Sequence, residues 1–528
     1  MYRIQRFLGL AKALDKHPLY SKIRGKTLRL SVSKITAELV RKQSSKILKK
    51  GKKKFFLSFF NYNFLSQHLF YHLRSKIYYK VAKNIIFKSQ KKIISYNQIF
   101  RFDLIDLIYV SKIFFKFLSF LLINFLKKTN SNKYENFDIL VNYQNGNRLT
   151  NKSDFPYHSN FKKIRKKKLK IKYLISSPLS YNGKKGLKSI KYNYITTKKF
   201  TGLKHKPFYC QNISAKSKKG ILFCIKNFFS DPLIYSTFLE FIMIYEYYFQ
   251  LIKFYKIKIY INNSWDNKIP AIRQAINDLS GITIAFQTSY FNNKDAAFLN
   301  HPTDVVFSWG KNSKEILNPK YSYINKLFKI DPNIFYCKRN RKKIGKKIIT
   351  LFDTSFKNDG YISPVLYNEF LKILLLKINS SKNLYLQLKF KYSDHEKYID
   401  KENLLLIQKL IKDKKFRYFK KKQDNNIIIA NSDLVVSIGT LTISAEALFK
   451  NIDSIVLCND AIDKRFLIQA NSIYPFAFDN LIQFKKNFDD KINFKNNNLK
   501  IKKLRDFFFE NNQKKIKPHE IIESFIKT

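Results

Sequence analysis

Residues 431–460 read NSDLVVSIGTLTISAEALFKNIDSIVLCND. The apolar run 433–438, a short polar turn and the apolar run 454–457 predict two strands with a helix over 444–449 between them. Parallel strands joined through a short helix pack as a right-handed crossover. The stretch therefore predicts an α/β protein with a buried parallel sheet.

Polar groups at the start of this helix suggest a ligand site. Such units bind ligands at the carboxyl ends of their strands, against the N-terminus of a helix. A phosphate there would meet free N–H groups and hydroxyls from Gly439, Thr440, Thr442 and Ser444. Glu446 lies one to two turns into the helix, where it would accept hydrogen bonds from a sugar or ribose. An ordinary βαβ unit without a ligand is the alternative that this segment leaves open.

Length and charge set the next limits. A chain of 528 residues is too long for one ordinary core and predicts two large domains with extensions. The net charge of +64 indicates nucleic acid or an anionic membrane as a partner. The basic residues are 86 Lys and only 15 Arg, a bias that A/T-rich codons produce. Residues 40–102 and 155–230 contain no Asp or Glu, so the front half is expected to face something anionic.

Cysteine and histidine give no sign of a metal or a disulfide framework. The four cysteines and eight histidines are scattered, without CxxC pairs or metal-ligand spacing. A reducing cytoplasm, no metal and no cofactor are the expectations, and the N-terminus reads as lacking a secretory signal.

The coarse pattern predicts two Rossmann-like units in the two-domain GT-B arrangement, with a ligand between them. The expected domains are a basic helical extension (1–50), an N-terminal domain (51–337) with a Lys-rich insertion at about 155–230, a C-terminal domain (346–490) and a tail (491–528) that could cross back. Predicted strands are 54–61, 136–142, 258–262, 281–287, 303–308, 347–352 and 384–389, and predicted helices are 64–83, 269–279, 313–317, 365–378 and 402–412.

Two apolar stretches raise the question of a membrane. The uncharged run 117–126 is ten residues, about half of what a span needs. Residues 232–255 carry three charged side chains, so a core helix is the better interpretation there. For 100–128, a core helix and an amphipathic helix lying in the membrane interface remain open alternatives.

Four short motifs, in order, resemble bacterial surface-polysaccharide biosynthesis proteins. Residues 271–287, which end in GITIAFQ, are followed by His301-Pro302 and by 304–317, DVVFSWGKNSKEIL. This is similar to the family order of a strand, a helix, GIPT…QHG, a loop and aDxxxxWGxxxKeiL. Lys389-Phe390-Lys391 is similar to the family's basic KxK strand end, and 439–446 is similar to its donor-phosphate turn and helix. The resemblance covers roughly 256–487.

The family implies a GT-B glycosyltransferase that uses a nucleotide sugar as co-substrate, with an N-terminal acceptor domain and a C-terminal donor domain. Lys389 and Lys391 would then supply positive charge to the departing phosphate, although a solvated basic face is the simpler interpretation in so basic a chain. No DxD pair stands out, which favours a metal-independent transfer.

One departure concerns the catalytic base. Where the family reads Gln-His-Gly, this acceptor-side loop reads Gln287-Thr288-Ser289. A neutral His is a good general base near pH 7, and Thr is not. Carboxylates expected at strand ends are substitutes, with a capping or loop role as the alternative for each: Asp266, Asp295 and Asp353.

Three functions follow as hypotheses. The favoured one is a peripheral membrane glycosyltransferase on the inner face of the plasma membrane, which extends a surface or capsular polysaccharide or a glycolipid. A nucleotide-sugar epimerase or a polyol-phosphate transferase on the same fold is the second. A non-enzymatic nucleic-acid-binding protein is the third, but the scarcity of Arg and the lack of an RNA-binding motif weigh against it.

Overall fold

A computed structural model describes residues 68, 104–126, 136–143, 169–175, 194–197, 208–210, 212–262, 268–287, 303–309, 324–330, 345–353, 364–391, 395–419, 423–439, 442–458, 464–493, 498–509 and 517–527. The predicted extension 1–50, the strand 54–61 and the helix 313–317 lie outside these residues, as does the helix 64–83 apart from His68.

The first sheet has seven parallel strands in the order β3-β2-β1-β4-β5-β6-β7. They are β1 (Ile139–Tyr143), β2 (Ile171–Ile175), β3 (Tyr194–Thr196), β4 (Ile259–Asn262), β5 (Ile282–Phe286), β6 (Val305–Ser308) and β7 (Lys326–Lys329). The second sheet has six parallel strands in the order β10-β9-β8-β11-β12-β13. They are β8 (Lys347–Phe352), β9 (Leu384–Lys389), β10 (Phe416–Phe419), β11 (Leu434–Ile438), β12 (Asp453–Leu457) and β13 (Ala477–Phe478).

Both sheets are doubly wound, so the prediction of two Rossmann-like units is confirmed. The helices are α1 (Leu104–Leu126), α2 (Ala215–Asn227), α3 (Pro232–Tyr255), α4 (Ile269–Asn277), α5 (Pro364–Ser380), α6 (Lys401–Lys412), α7 (Asn425–Ala430), α8 (Thr442–Phe449), α9 (Lys464–Ile473), α10 (Leu481–Asn493), α11 (Asn498–Phe509) and α12 (Pro518–Lys527).

Local sequence explains where the longest core helix begins and ends. The side chain of Asp231 accepts a hydrogen bond from the N–H of Ile234, and Pro232 occupies the first turn of α3. Lys256 takes a left-handed conformation and ends the helix. Most of its side chains are buried, which confirms the prediction that 232–255 is a core helix.

Helices cover both faces of each sheet. One face of the first sheet packs against α1, α2, α3 and α4, through Leu140, Leu174 and Tyr260. One face of the second sheet packs against α5, α6 and α10, through strand residues such as Leu386 and Val436. Of the helices in the described residues, none is long and apolar enough to cross a membrane.

The tail crosses back to the first sheet. Helix α11 packs on α8 and α9 beside the second sheet. Helix α12 then joins the core of the first sheet, with Ile522 fully buried. Lys258, just before β4, donates from Nζ to the carbonyl of Ile526 (2.9 Å), and the Lys326 Nζ lies 5.1 Å from the ring centroid of Phe525. One apolar cluster therefore runs through both sheets.

The prediction of an insertion at 155–230 is wrong for much of that segment. Strands β2 and β3 belong to the first sheet, and α2 packs on α3. The strands were missed because lysines interrupt the run of apolar residues by which a buried strand is predicted from sequence. Lys172 tolerates its place in β2 because its Nζ lies 4.1 Å from the ring centroid of Phe137.

A buried ion pair lies at the edge of the second sheet where its strands begin. Lys491 Nζ lies 2.5 Å from Asp453 Oδ1, and both side chains are almost fully buried. Tyr474 donates its hydroxyl to the other carboxylate oxygen (2.9 Å), and its ring centroid lies 3.5 Å from Lys491 Nζ. Burial lowers the pKa of Lys491 to about 8, against the opposing pull of Asp453. The pair ties α10 to the start of β12.

We expect Lys491→Met to lower the free energy of unfolding by about 3 kcal/mol or more, because it leaves the Asp453 carboxylate buried without its charge partner. Urea unfolding measures this, and adding Asp453→Asn should recover part of the loss. Lys372→Met is the matched control, since the Lys372–Glu402 pair is exposed and its loss should cost about 0–1 kcal/mol. A Lys491→Met cost no larger than the control would contradict the assignment.

Candidate functional site

The strand order of the second sheet defines a crevice. The chain leaves β8 toward β9 on one side and leaves β11 toward β12 on the other, so β8 and β11 flank the point where the winding reverses. Ligands of doubly wound sheets bind at the carboxyl ends of the strands at this point. The register pairs Ser437 with Phe352, which sets Asp353 beside the end of β11. Residues following both strands therefore meet at one place.

A glycine turn connects β11 to helix α8. Gly439 is buried, has a φ of +80° and donates its N–H to the carbonyl of Leu457 (2.8 Å). Only glycine adopts that φ without strain. The helix begins at Thr442, two residues earlier than predicted, so Thr442 offers a backbone N–H in the first turn. Thr440 lies outside the described residues.

Ser444 packs inward. Its hydroxyl lies 2.8 Å from the hydroxyl of Ser437 on β11, and its carbonyl accepts from Ser454 on β12 (3.3 Å). Both contacts are buried, so this side chain holds the helix against the sheet. Of the sequence-predicted phosphate donors, Ser444 already has its hydroxyl engaged within the fold.

Glu446 is a buried carboxylate with spare hydrogen-bonding capacity. Its side chain is 7% exposed, and Lys450 Nζ lies 3.3 Å from Oε1. That ammonium donates instead to Asn426 Oδ1 (2.8 Å), and Glu446 Oε1 has no hydrogen-bond partner among the described residues. Burial raises the pKa of Glu446 to about 7, although Lys450 pulls it down. A carboxylate oxygen without a hydrogen-bond partner is able to accept a hydrogen bond from a ligand hydroxyl.

The pKa of Glu446 makes a prediction about stability. Its folded pKa of about 7 lies above the ordinary value of 4.5, so the folded chain holds a proton that the unfolded chain releases between these values. The stabilising contribution is complete at low pH and is lost as the pH rises through about 7. Glu446→Gln lacks this dependence and should gain about 2 kcal/mol relative to wild type between about pH 5 and pH 8.

Urea unfolding of both proteins at the two pH values measures that difference. Glu402→Gln, which removes an exposed carboxylate on α6, controls for the loss of one negative charge. Parallel pH curves for wild type and Glu446→Gln would show that the carboxylate is not the titrating group.

On the β8 side, Asp353 binds the backbone that follows β9. Its N–H donates to the carbonyl of Lys389 (3.3 Å), and its Oδ1 accepts from the N–H of Lys391. Lys389 is buried and Lys391 is exposed. The structure thus brings these three candidates together beside the crevice, with one Asp353 oxygen engaged in a capping role.

The first sheet has its own reversal point, between β1 and β4. Asn142 Nδ2 donates to Asn262 Oδ1 across it (3.2 Å), and both side chains are buried. Sequence reasoning missed this pair, although both predicted strands end in Asn. The pairing of the two strands was needed to bring them together.

Two residues of the family-like motifs stabilise the first sheet. Gln287 Oε1 accepts from the N–H of Trp309 (2.6 Å), which joins the ends of β5 and β6. Asp304 accepts from the N–H of Thr283 (2.8 Å) and forms a buried ion pair with Arg273 of α4 (2.6 Å). These contacts lie within the scaffold.

The rest of the acceptor-side loop lies outside the described residues, as do two candidate bases: Thr288, Ser289, Asp266 and Asp295. Within the described residues, no group of three His, Cys, Asp or Glu side chains could hold a metal ion.

No protein-family model and no curated protein sequence matches the chain. Solved structures similar to it are glycosyltransferases and UDP-GlcNAc 2-epimerases. The UDP-GlcNAc 2-epimerase from Neisseria meningitidis bound to UDP-GlcNAc has 10% identity and a TM-score of 0.46, over 74% of this chain and 100% of that one.

A glycosyltransferase from Rickettsia africae has 14% identity and a TM-score of 0.44, over 75% of this chain and 100% of that one. MurG from Acinetobacter baumannii has 9% identity and a TM-score of 0.41, over 74% and 100%. Similarities of this size carry no information on substrate or reaction, which must come from the chain's own residues.

Proposed function

We propose that this protein is a sugar-nucleotide-handling enzyme, and specifically a glycosyltransferase. It moves a sugar from a nucleotide-activated donor to a surface polysaccharide or glycolipid acceptor, on the inner face of the plasma membrane. The observation that supports this is the place of Glu446, one turn inside the helix that follows β11 at the reversal point: it is a buried carboxylate whose Oε1, although 3.3 Å from Lys450 Nζ, has no hydrogen-bond partner among the described residues.

In this proposal the donor occupies the crevice between β8 and β11. Its phosphates lie at the N-terminus of α8, where the N–H groups of the first turn and Thr442 bind negative charge. The ribose hydroxyls donate to Glu446. Lys391, exposed at the end of β9, adds positive charge near the phosphates.

The chemistry of transfer is simple. An acceptor hydroxyl attacks the anomeric carbon, the bond from that carbon to the phosphate oxygen breaks, and the electron pair leaves with the nucleotide. Preorganised N–H groups and cations stabilise the charge on the departing phosphate. The proton of the acceptor hydroxyl passes to a base, for which Asp353, Asp266 and Asp295 are the candidates. The reaction as proposed uses no metal.

We expect one class of nucleotide sugar to raise the melting temperature of the protein. A ligand at about 100 times its dissociation constant stabilises a fold by about 2.7 kcal/mol. The screen compares UDP-, GDP-, CMP-, CDP- and dTDP-sugars with RNA. The ligand-induced shift should disappear in Glu446→Ala and fall in Thr442→Ala, because each change removes a contact to the donor.

Glu402→Ala on α6 is the matched control and should keep the full shift, since Glu402 is exposed. Comparing each variant with and without ligand removes any change in its own stability. An unchanged shift in Glu446→Ala would remove that residue from the site, and a shift with RNA alone would favour the nucleic-acid hypothesis.

Product analysis separates transfer from isomerisation. Incubation of the bound nucleotide sugar without an acceptor leaves it intact if the enzyme is a transferase, apart from slow hydrolysis. An epimerase would convert it to a second nucleotide sugar under the same conditions, and a polyol-phosphate transferase would require a different donor.

A further inference from the structure

Helix α1 presents an unusual surface. Ten of its side chains between Asp106 and Ile123 are exposed, and seven of these are large and apolar. They are Leu107, Ile108, Phe114, Phe115, Leu118, Leu122 and Ile123, with Phe115 at 67% exposure. The opposite side of the helix is anchored in the core by Val110, Ile113 and Phe117. Helix α1 therefore exposes these apolar side chains although its other side is already packed in the core.

The exposed side chains are sorted around the helix. At about 100° per residue, Phe114, Leu107, Leu118, Leu122, Phe115 and Ile108 fall within an arc of about 120°. Lys112 and Lys116, four residues apart, stand together beyond one edge of this arc. Lys116 is held there by Glu240 of α3, at 2.6 Å. An apolar face with a lysine row along its border is the pattern of a helix lying in a membrane interface.

A groove runs along the lysine border. It has a volume of about 1040 Å³ and lies between α1 and a wall that includes Phe208, Cys210 and Tyr247. The lining is mainly apolar. The Tyr247 hydroxyl is buried and has no hydrogen-bond partner among the described residues. A groove of this size and polarity accommodates a hydrocarbon chain.

Helix α2 carries a second exposed apolar patch. Helix α2 packs on α3, as α1 does, on one face of the first sheet. It exposes Leu222 (57%) and Ile225 (52%), and Phe229 just beyond it is 92% exposed. Lys218 and Lys219 of α2 are both exposed. Segment 155–230, which contains α2, has no acidic residue to oppose an anionic surface.

The geometry points to a membrane-docking face: α1 lies in the headgroup region of an anionic bilayer, with its apolar arc among the acyl chains and one lipid chain in the groove beside it. Lys112, which is exposed, contacts a lipid phosphate. The occupant is a lipid because an apolar face bordered by lysines in a chain of net charge +64 complements both parts of an anionic lipid. This deepens the proposed function by locating the face that meets a lipid-linked acceptor, and it rests on that proposal only for the identity of the acceptor.

The test is sedimentation of the full chain with vesicles of phosphatidylcholine, alone or mixed with phosphatidylglycerol, at low and high salt. Wild type should bind the mixed vesicles and retain part of its binding at high salt. The double variant Phe115→Glu/Leu118→Glu should lower the partition coefficient about tenfold or more, because each carboxylate must enter the apolar layer. Lys112→Gln should lower binding to the mixed vesicles about fivefold and leave binding to phosphatidylcholine unchanged.

The matched control is Ile468→Glu/Ile482→Glu. It adds the same two charges at apolar side chains that are 70% and 84% exposed, on α9 and α10 beside the other sheet. This control should bind vesicles like wild type. Equal losses in both double variants, or none in the α1 variant, would overturn the assignment to α1, as would binding that disappears entirely at high salt.

A separate readout covers other occupants of the face. If Phe115→Glu/Leu118→Glu converts a dimer to monomers in size-exclusion chromatography with light scattering, and wild type does not bind vesicles, a second copy covers α1 and the inference is wrong. The nucleotide-sugar shift is measured on the same α1 variant and should be unchanged. Vesicle binding without any nucleotide response would overturn the proposed function and leave the docking face in place.

Discussion

Parallel strands can be joined only by crossovers that run over the face of a sheet, and this constraint organises the whole molecule. Every strand pair in the described part of both sheets is parallel, so each sheet needs apolar side chains on both faces and helices to cover them. Nearly every side chain of β8, β9 and β11 is accordingly buried, including polar ones such as Thr350 and Gln387. The same winding fixes where each sheet reverses direction, and therefore where a crevice opens.

The two crevices differ in character. At the reversal point of the first sheet, the buried side-chain amides of Asn142 and Asn262 form a hydrogen bond. At the reversal point of the second sheet, Asp353 follows β8 and accepts a hydrogen bond from the N–H of Lys391. On the neighbouring strand, β11 is followed by the Gly439 turn and by α8, which carries the buried Glu446. Asp304 and Gln287 belong to the motifs that resemble the family, but their side-chain oxygens already accept hydrogen bonds from backbone N–H groups of the first sheet. Glu446, by contrast, keeps a buried oxygen without a hydrogen-bond partner among the described residues.

Many strands and helices could be predicted from the sequence, because their signals lie in short local patterns of apolar and polar residues. The bounds of β8 and β9 agree with the prediction to the residue, because each is an apolar run closed by polar residues. Strand β2 was missed because lysines surround it and one lies within it, where the ring of Phe137 accommodates the charge. The Asn142–Asn262 pair depends on strand order, and the pKa of Glu446 depends on burial by elements far away in sequence. Neither the pair nor the pKa can be predicted from a short stretch of sequence.

The return of α12 to the first sheet has a consequence for biosynthesis. A ribosome completes all seven strands of that sheet before it makes α12, and the second sheet and its helices are made in between. Until then the side of the first sheet that receives Ile522 and Phe525 has no covering from this helix. The core of the first sheet is therefore completed last, although its strands are made first. Until then, its open apolar side is the kind of surface that chaperones bind during synthesis.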